Sequence, residues 1–256
     1  MIMSLIKECA ESLLRTFRIL KIKNKGNESY ILSKLKNDGI FVEPNFISSE
    51  QCESYKAKID KMISERKVNV WSDDKGADNR IYFVNEIDDS FNTFYNQAKI
   101  RYILAGYTGT ASPQGMLLAA RIDYKEGNKG SGEGWHRDSP ITHQFKAICY
   151  LNDVNEDNGC FQYIKTSHSK FVVIKNYLKR TLLPGKYRFE DNEIENYLLM
   201  NNQEITDVTG EAGSIVYADT KGIHRGKPLK TGTRYVLFCY FWHNDIPPHF
   251  AKLKQE

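Results

Sequence analysis

Through the first hundred residues, apolar side chains recur at helical spacing. Ile6, Cys9, Leu13, Leu14 and Phe17 fall on one side of a helix expected over residues 4–20, opposite Lys7, Glu11, Arg15 and Arg18. Its flank of Arg18, Lys21, Lys23 and Lys25 is basic, so the segment can pack on the body of the protein, the commoner arrangement, or touch an anionic membrane surface. A short helix is predicted over residues 29–37, ended by Gly39, and Ile40, Phe41 and Val42 carry the pattern of a strand. Ser48 with Gln51 three residues later forms a capping box that opens a helix to about Glu65. Periodicity is lost over residues 68–80, where Asp, Gly and Asn predict a surface loop, and returns for one helix over residues 91–104.

After Gly115 the texture changes to short β-rich runs separated by turns, at 116–124, 134–138, 145–151, 160–164, 205–208, 214–217 and 235–242. Strands of this length and spacing predict a sandwich or jelly-roll barrel. Residues 171–202 interrupt the series and read as an insertion over one mouth of the barrel, where lids over active sites are often built. The expected organisation is one domain over 1–256, with a mostly helical part (1–110) packed on a β core (115–243).

Composition narrows the class without naming a function. At roughly 100–200 residues per domain, 256 residues allow one or two domains, and 41% hydrophobic with 27% charged residues is ordinary for a globular chain. A formal charge of +4 is too small to announce a nucleic-acid binder, and the basic residues lack the interleaved exposed aromatics of a stacking platform. Cys9, Cys52, Cys149, Cys160 and Cys239 are scattered, with no C-x-x-C pair, which suits a reducing compartment. No stretch is long and apolar enough to span a bilayer, and charges interrupt the N-terminus before a signal-peptide core could form, so a cytoplasmic protein is expected. The glycines at 127, 130, 132 and 134 are followed by no Gly-Lys-Ser/Thr, and neither Gly-x-Ser-x-Gly nor His-Glu-x-x-His occurs.

His136-Arg137-Asp138 is a different matter. Residues two apart in a strand project from one face, so imidazole and carboxylate can converge on one ion. His224 lies just after a later predicted strand, and two histidines with one carboxylate form the facial set that suits non-haem Fe(II) with open positions. A second triplet, His243-Asn244-Asp245, is followed only by Pro247-Pro248-His249 and the last few residues, with no later strand to return a third ligand. Beyond His224, Arg234 enters the apolar run 235–242, where a buried guanidinium can grip a dicarboxylic acid by a bidentate fork. Metal, open positions and buried arginine together imply a keto-acid cosubstrate.

These residues stand in a familiar context. Glu133-Gly-Trp-His-Arg-Asp138, Phe145-Lys-Ala-Ile-Cys-Tyr-Leu151, Asn158-Gly-Cys-Phe-Gln-Tyr-Ile164 with Ser167-His168, and Ala212-Gly-Ser with His224 and Arg234 resemble the phytanoyl-CoA dioxygenase family of Fe(II)/2-oxoglutarate oxygenases. The resemblance runs from about Met116 to Trp242. It implies a double-stranded β-helix (jelly-roll, cupin-like) core flanked by N-terminal helices, with His136, Asp138 and His224 as iron ligands and Arg234 as the 2-oxoglutarate anchor. It also implies O2 as cosubstrate and hydroxylation of an unactivated C–H bond in a small molecule, with release of succinate and CO2. Asp138 fills the position that halogenating relatives leave open for chloride, which favours hydroxylation.

The resemblance also places polar side chains near the cosubstrate on the strand that holds Arg121 and Asp123. Arg121 fits that role; Asp123 stands where the family tends to have a neutral amide, would repel 2-oxoglutarate, and can instead pair with Arg121. Lys146, Ile148 and Tyr150 share a strand face, and the family lines its cosubstrate pocket from the position of Ile148. Lys165-Thr166 replaces the family's usual Pro-Gly, a change of turn. The competing reading is a non-catalytic jelly roll that keeps the ligand set as a metabolite sensor or scaffold. His168 and His143 read as a turn residue and a loop residue, Trp135 as core, and Cys149 and Cys160 as small buried hydrophobes. Between Cys160 and Phe189 there are seven basic residues and no acidic one. Such a stretch is a solvated basic face or, over the barrel mouth, an attractor for an anionic substrate: a phosphate, phosphonate, CoA-linked or acidic-sugar compound.

Overall fold

The computed structural model describes residues 27–109, 114–138, 145–183, 185–242 and 245–254. The helix predicted over 4–20, His143 and His243 lie outside these residues. Helix α1 (Asn27–Asp38) leads into β1 (Ile40–Glu43), and α2 (Ser49–Glu65) opens on the expected box, with Ser48 and Gln51 each bonded to the other's backbone N–H. The region predicted as a loop over 68–80 instead holds two short strands, β2 (Trp71–Ser72) and β3 (Asp78–Ile81). Their alternation is hidden in the sequence because polar side chains occupy both faces. The helix predicted over 91–104 is two helices, α3 (Asp89–Tyr95) and α4 (Ala98–Thr108). The break falls at Asn96, whose side-chain amide bonds back to Asn92 and offers the chain an alternative to the helical ladder.

The β region comprises β4 (Gln114–Asp123), β5 (Trp135–His136), β6 (Phe145–Tyr150), β7 (Phe161–Ile164), β8 (Arg188–Phe189), β9 (Ile205–Val208), β10 (Ile215–Asp219), β11 (His224–Gly226) and β12 (Thr233–Trp242). Helices α5 (Lys170–Leu178) and α6 (Asp191–Asn201) fall in the insertion, and α7 (Pro248–Ala251) follows the last strand. The strands form two antiparallel sheets, one in the order β1-β10-β6-β12-β4-β3-β2 and one in the order β8-β5-β11-β7-β9. Together they make the jelly-roll core of a double-stranded β-helix, flanked by helices.

Packing explains why the wide sheet reads as continuous apolar runs. Leu118, Ala120 and Ile122 of β4, Ile148 and Tyr150 of β6 and Val236 of β12 face the inside of the barrel. Their neighbours Leu117, Ala119, Ala147, Cys149, Leu237 and Cys239 face outward, against Ile31, Leu35, Ile59, Phe91, Phe94 and Ile103 of the helices. Both faces are covered, so burial at about 25 cal/mol per Å2 rewards apolar residues at every position. A third cluster, with Trp135, Phe189, Ile194, Tyr197 and Ile223, joins the insertion to the narrow sheet. No helix among the described residues is long and apolar enough to cross a membrane.

Candidate metal centre and cosubstrate pocket

β5 and β11 pair with His136 directly opposite His224. The ring centroids are 4.3 Å apart. His136 Nδ1 lies 2.9 Å from the Gly134 carbonyl and His224 Nδ1 lies 2.8 Å from the Gly222 carbonyl. A carbonyl oxygen only accepts, so these contacts place the proton on Nδ1 and leave each Nε2 lone pair for a metal. Asp138 follows on the same face, held by its backbone N–H donating to Thr220 O at 3.0 Å. One ligand atom from each of the three residues lies within 4.8 Å of the others, with His136 Nε2 and Asp138 Oδ1 at 3.9 Å.

The electrostatics keep this donor set in its metal-binding protonation state. Burial, then the neighbouring His136, holds His224 down at about 3, and burial also lowers His136. Burial alone would raise the Asp138 carboxyl, but Lys146, His224 and His136 outweigh it and keep Asp138 below the usual carboxylate range. Lys146 Nζ sits 2.5 Å from Asp138 Oδ2, and this pair, against the opposing effect of burial, holds the ammonium charged. Two glycines make room: a Cβ on Gly132 would come 2.5 Å from the His136 ring, and one on Gly222 would come 2.0 Å from the Tyr163 hydroxyl.

Arg234 lines the same cavity as His136 and His224 and is 2% exposed. Its Nε has no hydrogen-bond partner among the described residues, and burial lowers its proton affinity. Asp78, the nearby carboxylate, is taken by a bidentate pair with Arg80 at 2.5 and 3.0 Å. A buried guanidinium without a carboxylate is costly on its own, and it fits the far carboxylate of a keto acid chelated beyond it. Two neutral imidazoles, one ionised carboxylate and this unpaired arginine match the chemistry of Fe(II) with 2-oxoglutarate.

The structure brings His136, Asp138, His224 and Arg234 together, and it corrects the placement expected for Arg121 and Asp123. These two stand on the outward face of β4, the face of Leu117 and Ala119, because the strand alternates and Leu118, Ala120 and Ile122 take the inward positions. Arg121 pairs with Asp60 at 3.0 Å and with Asp123 at 3.2 Å, beside Tyr235, and neither residue lines the cavity. Ile148 and Tyr150 do line it, as does Lys146. Asp245 bonds to Gln114 at the far end of the wide sheet.

Two contributions escaped the sequence reading. Arg80 reaches the cavity from the stretch that looked like a loop. A second cavity opens beside His136 and Asp138 and is lined by Tyr187, Arg188, Tyr240, Trp242, His249 and Phe250. Phe250 packs on Tyr240 and Trp242 with centroids 5.8 and 5.2 Å away, so the segment after β12 supplies one wall. The aromatic alternation Tyr240, Trp242 on β12 was the available signal, and Pro248 at the start of a short helix was the other.

The fold and the donor set define a jelly-roll protein with a His-Asp-His cluster that could hold a metal ion. Residues 35–235 match the phytanoyl-CoA dioxygenase (PhyH) family, and the chain belongs to that family. Among curated relatives, the ectoine dioxygenase of Bordetella bronchiseptica is 22% identical over 208 residues, covering 74% of this chain and 66% of the relative. The ectoine dioxygenase of Stutzerimonas stutzeri is 21% identical over 249 residues, covering 88% and 80%. The match therefore spans only about two thirds of the Bordetella protein. Among solved structures, the epimerase SnoN in complex with Fe3+, alpha ketoglutarate and nogalamycin RO superposes with a TM-score of 0.64 at 16% identity, covering 88% of each chain. HygX from Streptomyces hygroscopicus with nickel, 2-oxoglutarate and hygromycin B gives 0.57 at 15% identity, covering 83% of this chain and 86% of its own. These neighbours share the fold.

Proposed function

We propose that this protein is an Fe(II)- and 2-oxoglutarate-dependent dioxygenase that hydroxylates an unactivated C–H bond of a small anionic molecule. The observation that carries the reading is the cluster of His136, Asp138 and His224, whose two imidazoles line one cavity with the buried Arg234, a guanidinium with no hydrogen bond at Nε among the described residues. When bound, iron with 2-oxoglutarate and O2 supplies the oxidation that turns C–H into C–OH while the keto acid becomes succinate and CO2. The chain's own residues prepare for this. His136 and His224 present Nε2 because two carbonyls hold their Nδ1 protons. Lys146 holds Oδ2 of Asp138 and so fixes the plane of the carboxylate, with Oδ1 turned toward His136. Arg234 takes the distal carboxylate of the keto acid in a fork. Tyr240, Trp242 and Phe250 exclude water on the substrate side.

The charge of the site favours an anionic substrate. Lys146 carries three donors, shared with Asp138 and Tyr240, and Arg188 stands on the rim of the second cavity. Four cysteines, Cys52, Cys149, Cys160 and Cys239, are buried free thiols, in keeping with a reducing cytoplasm. The test is substrate-dependent succinate release from Fe(II)-loaded protein over a panel of small phosphates, phosphonates, carboxylates and their neutral counterparts. Stimulation by a member of the anionic set, with KM raised at least about tenfold by Lys146→Met, is the expected outcome. Stimulation by the neutral counterparts alone would remove the charge assignment. No stimulation by any member, with metal and keto acid both bound, would favour the sensor reading.

A further inference from the structure

The insertion presents a face that the active site does not use. Phe171, Ile174 and Leu178 recur along one side of α5 and are 76%, 55% and 81% exposed. Leu183, in the turn that follows, is 57% exposed, and Leu199 and Met200 at the end of α6 are 83% and 47% exposed. The two helix ends are adjacent, joined by the Asn176–Asn201 amide pair and by Thr181 against Met200. Large apolar side chains clustered in water are unusual for a soluble surface and mark a docking site. Around them stand Lys175, Lys179 and Arg180, all exposed and without an ion pair among the described residues. On α6, Glu193 pairs with Lys186 and Asp191 with Arg225, while Glu190 and Glu195 are exposed toward its N-terminal end, the end opposite Leu199 and Met200.

We propose that this face of α5 and the following turn docks on an anionic lipid bilayer. Apolar side chains on one side of a short helix, flanked by lysine and arginine, are the pattern of an interfacial helix: the apolar groups enter the headgroup boundary while the cations meet anionic lipids. Charge argues against the other occupants. A second copy would bring the same lysines against themselves, and residues 15–25 of this chain carry Arg15, Arg18, Lys21, Lys23 and Lys25. Against the expectation that the basic residues lack exposed aromatics, Phe171 and Tyr187 are exposed. Even so, Ile174, Leu178 and Leu183 are aliphatic and offer nucleobases nothing to stack on. The same turn carries Tyr187 and Arg188, which line the substrate-side cavity, so docking brings its rim to the lipid surface. The inference does not rest on the oxygenase reading, because its readout is binding.

The test is co-sedimentation of the full chain with vesicles of phosphatidylcholine alone and of equimolar phosphatidylcholine and phosphatidylglycerol, at low and high salt. The expected result is binding to the anionic vesicles that weakens with salt. It should fall at least about tenfold in Phe171→Ser/Leu178→Ser and in Lys175→Ser/Lys179→Ser/Arg180→Ser. Both variants change only exposed side chains, and an unchanged thermal midpoint confirms their fold. Absence of binding, equal binding by the variants, or a dimer in solution that Phe171→Ser/Leu178→Ser abolishes would each overturn the proposal. Salt-sensitive capture of an acidic protein without vesicle binding would do the same.

Discussion

His136 and His224 face each other across adjacent antiparallel strands, and each imidazole is tied through Nδ1 to the carbonyl two residues before it in the chain. The symmetry of that arrangement means both rings are oriented by backbone rather than by side chains. The strand register thus sets how the two imidazoles face each other, and on the proposed function they are the groups a metal needs. His136→Ala and His224→Ala should each weaken Fe(II) binding at least about a hundredfold while leaving the far-ultraviolet circular dichroism unchanged. Metal content after dialysis against a fixed free Fe(II) level measures this; full occupancy in either variant would contradict the assignment.

Arg234 is a stability liability without its ligand. Replacing it with Met removes a buried, unpaired guanidinium, so the metal-free variant should be more stable than the parent by on the order of 1 kcal/mol or more. Its affinity for 2-oxoglutarate should fall about 10–100-fold. Thermal midpoints with and without 2-oxoglutarate read both effects: the keto acid should raise the midpoint of the metal-loaded parent and leave that of the variant nearly unmoved.

The histidines set an acid limit on the metal-free fold. His224 is held at about 3, far below the ordinary 6.5, and His136 is lowered too. Below pH 6.5 the unfolded chain therefore binds protons that the folded chain refuses. Their contribution is complete above about 6.5 and is lost progressively as the pH falls toward 3, with Asp138 adding to the loss at still lower pH. Urea unfolding of metal-free protein between pH 7 and 4 should show this decline, and His224→Phe should flatten it. An unchanged slope in that variant would mean that other groups carry the acid sensitivity.

Arg121 offers a contrast on the opposite face of β4. Its pairs with Asp60 and Asp123 are partly exposed, with the arginine side chain 35% accessible. Arg121→Ala should cost about 1 kcal/mol or less and leave the 2-oxoglutarate dissociation constant within about twofold of the parent. Calorimetric titration of the keto acid decides this, and a tenfold loss would restore Arg121 to the pocket.

Phe250 walls the cavity beside His136 and Asp138, the substrate side of the proposed function, from a short helix after β12. Phe250→Ala should raise KM for the substrate while Fe(II) and 2-oxoglutarate binding stay as they are, and should increase succinate formation uncoupled from product. Equal losses in all three would mean that the residue supports the barrel rather than the pocket.

The cluster of His136, Asp138 and His224 was legible because a set of residues that could hold a metal constrains sequence strongly. His136 and Asp138 must lie two apart on a strand, and His224 and Arg234 must each sit at a strand whose apolar pattern is visible. Arg121 and Asp123 failed for a geometric reason: in a sheet covered on both faces, the two-residue period says which side chains share a face and not which face is inside. Arg80 was hidden because β3 is four residues long and mostly polar, so no periodicity announces it. The wall made by Phe250 depends on where the chain returns after β12, a tertiary fact with no local pattern. Lys146 was placed on the correct strand face, but its partner Asp138 is set by the crossing of two sheets.

The most direct measurement is anaerobic absorption spectroscopy of metal-free protein given Fe(II) and then 2-oxoglutarate. A keto acid chelated to Fe(II) gives a weak visible charge-transfer band. The expected result is a band that appears only when both are present, and that is lost in His136→Ala and in Arg234→Ala. A parent protein that binds Fe(II) but develops no band at saturating 2-oxoglutarate would contradict the assignment, leaving a metal site without its cosubstrate.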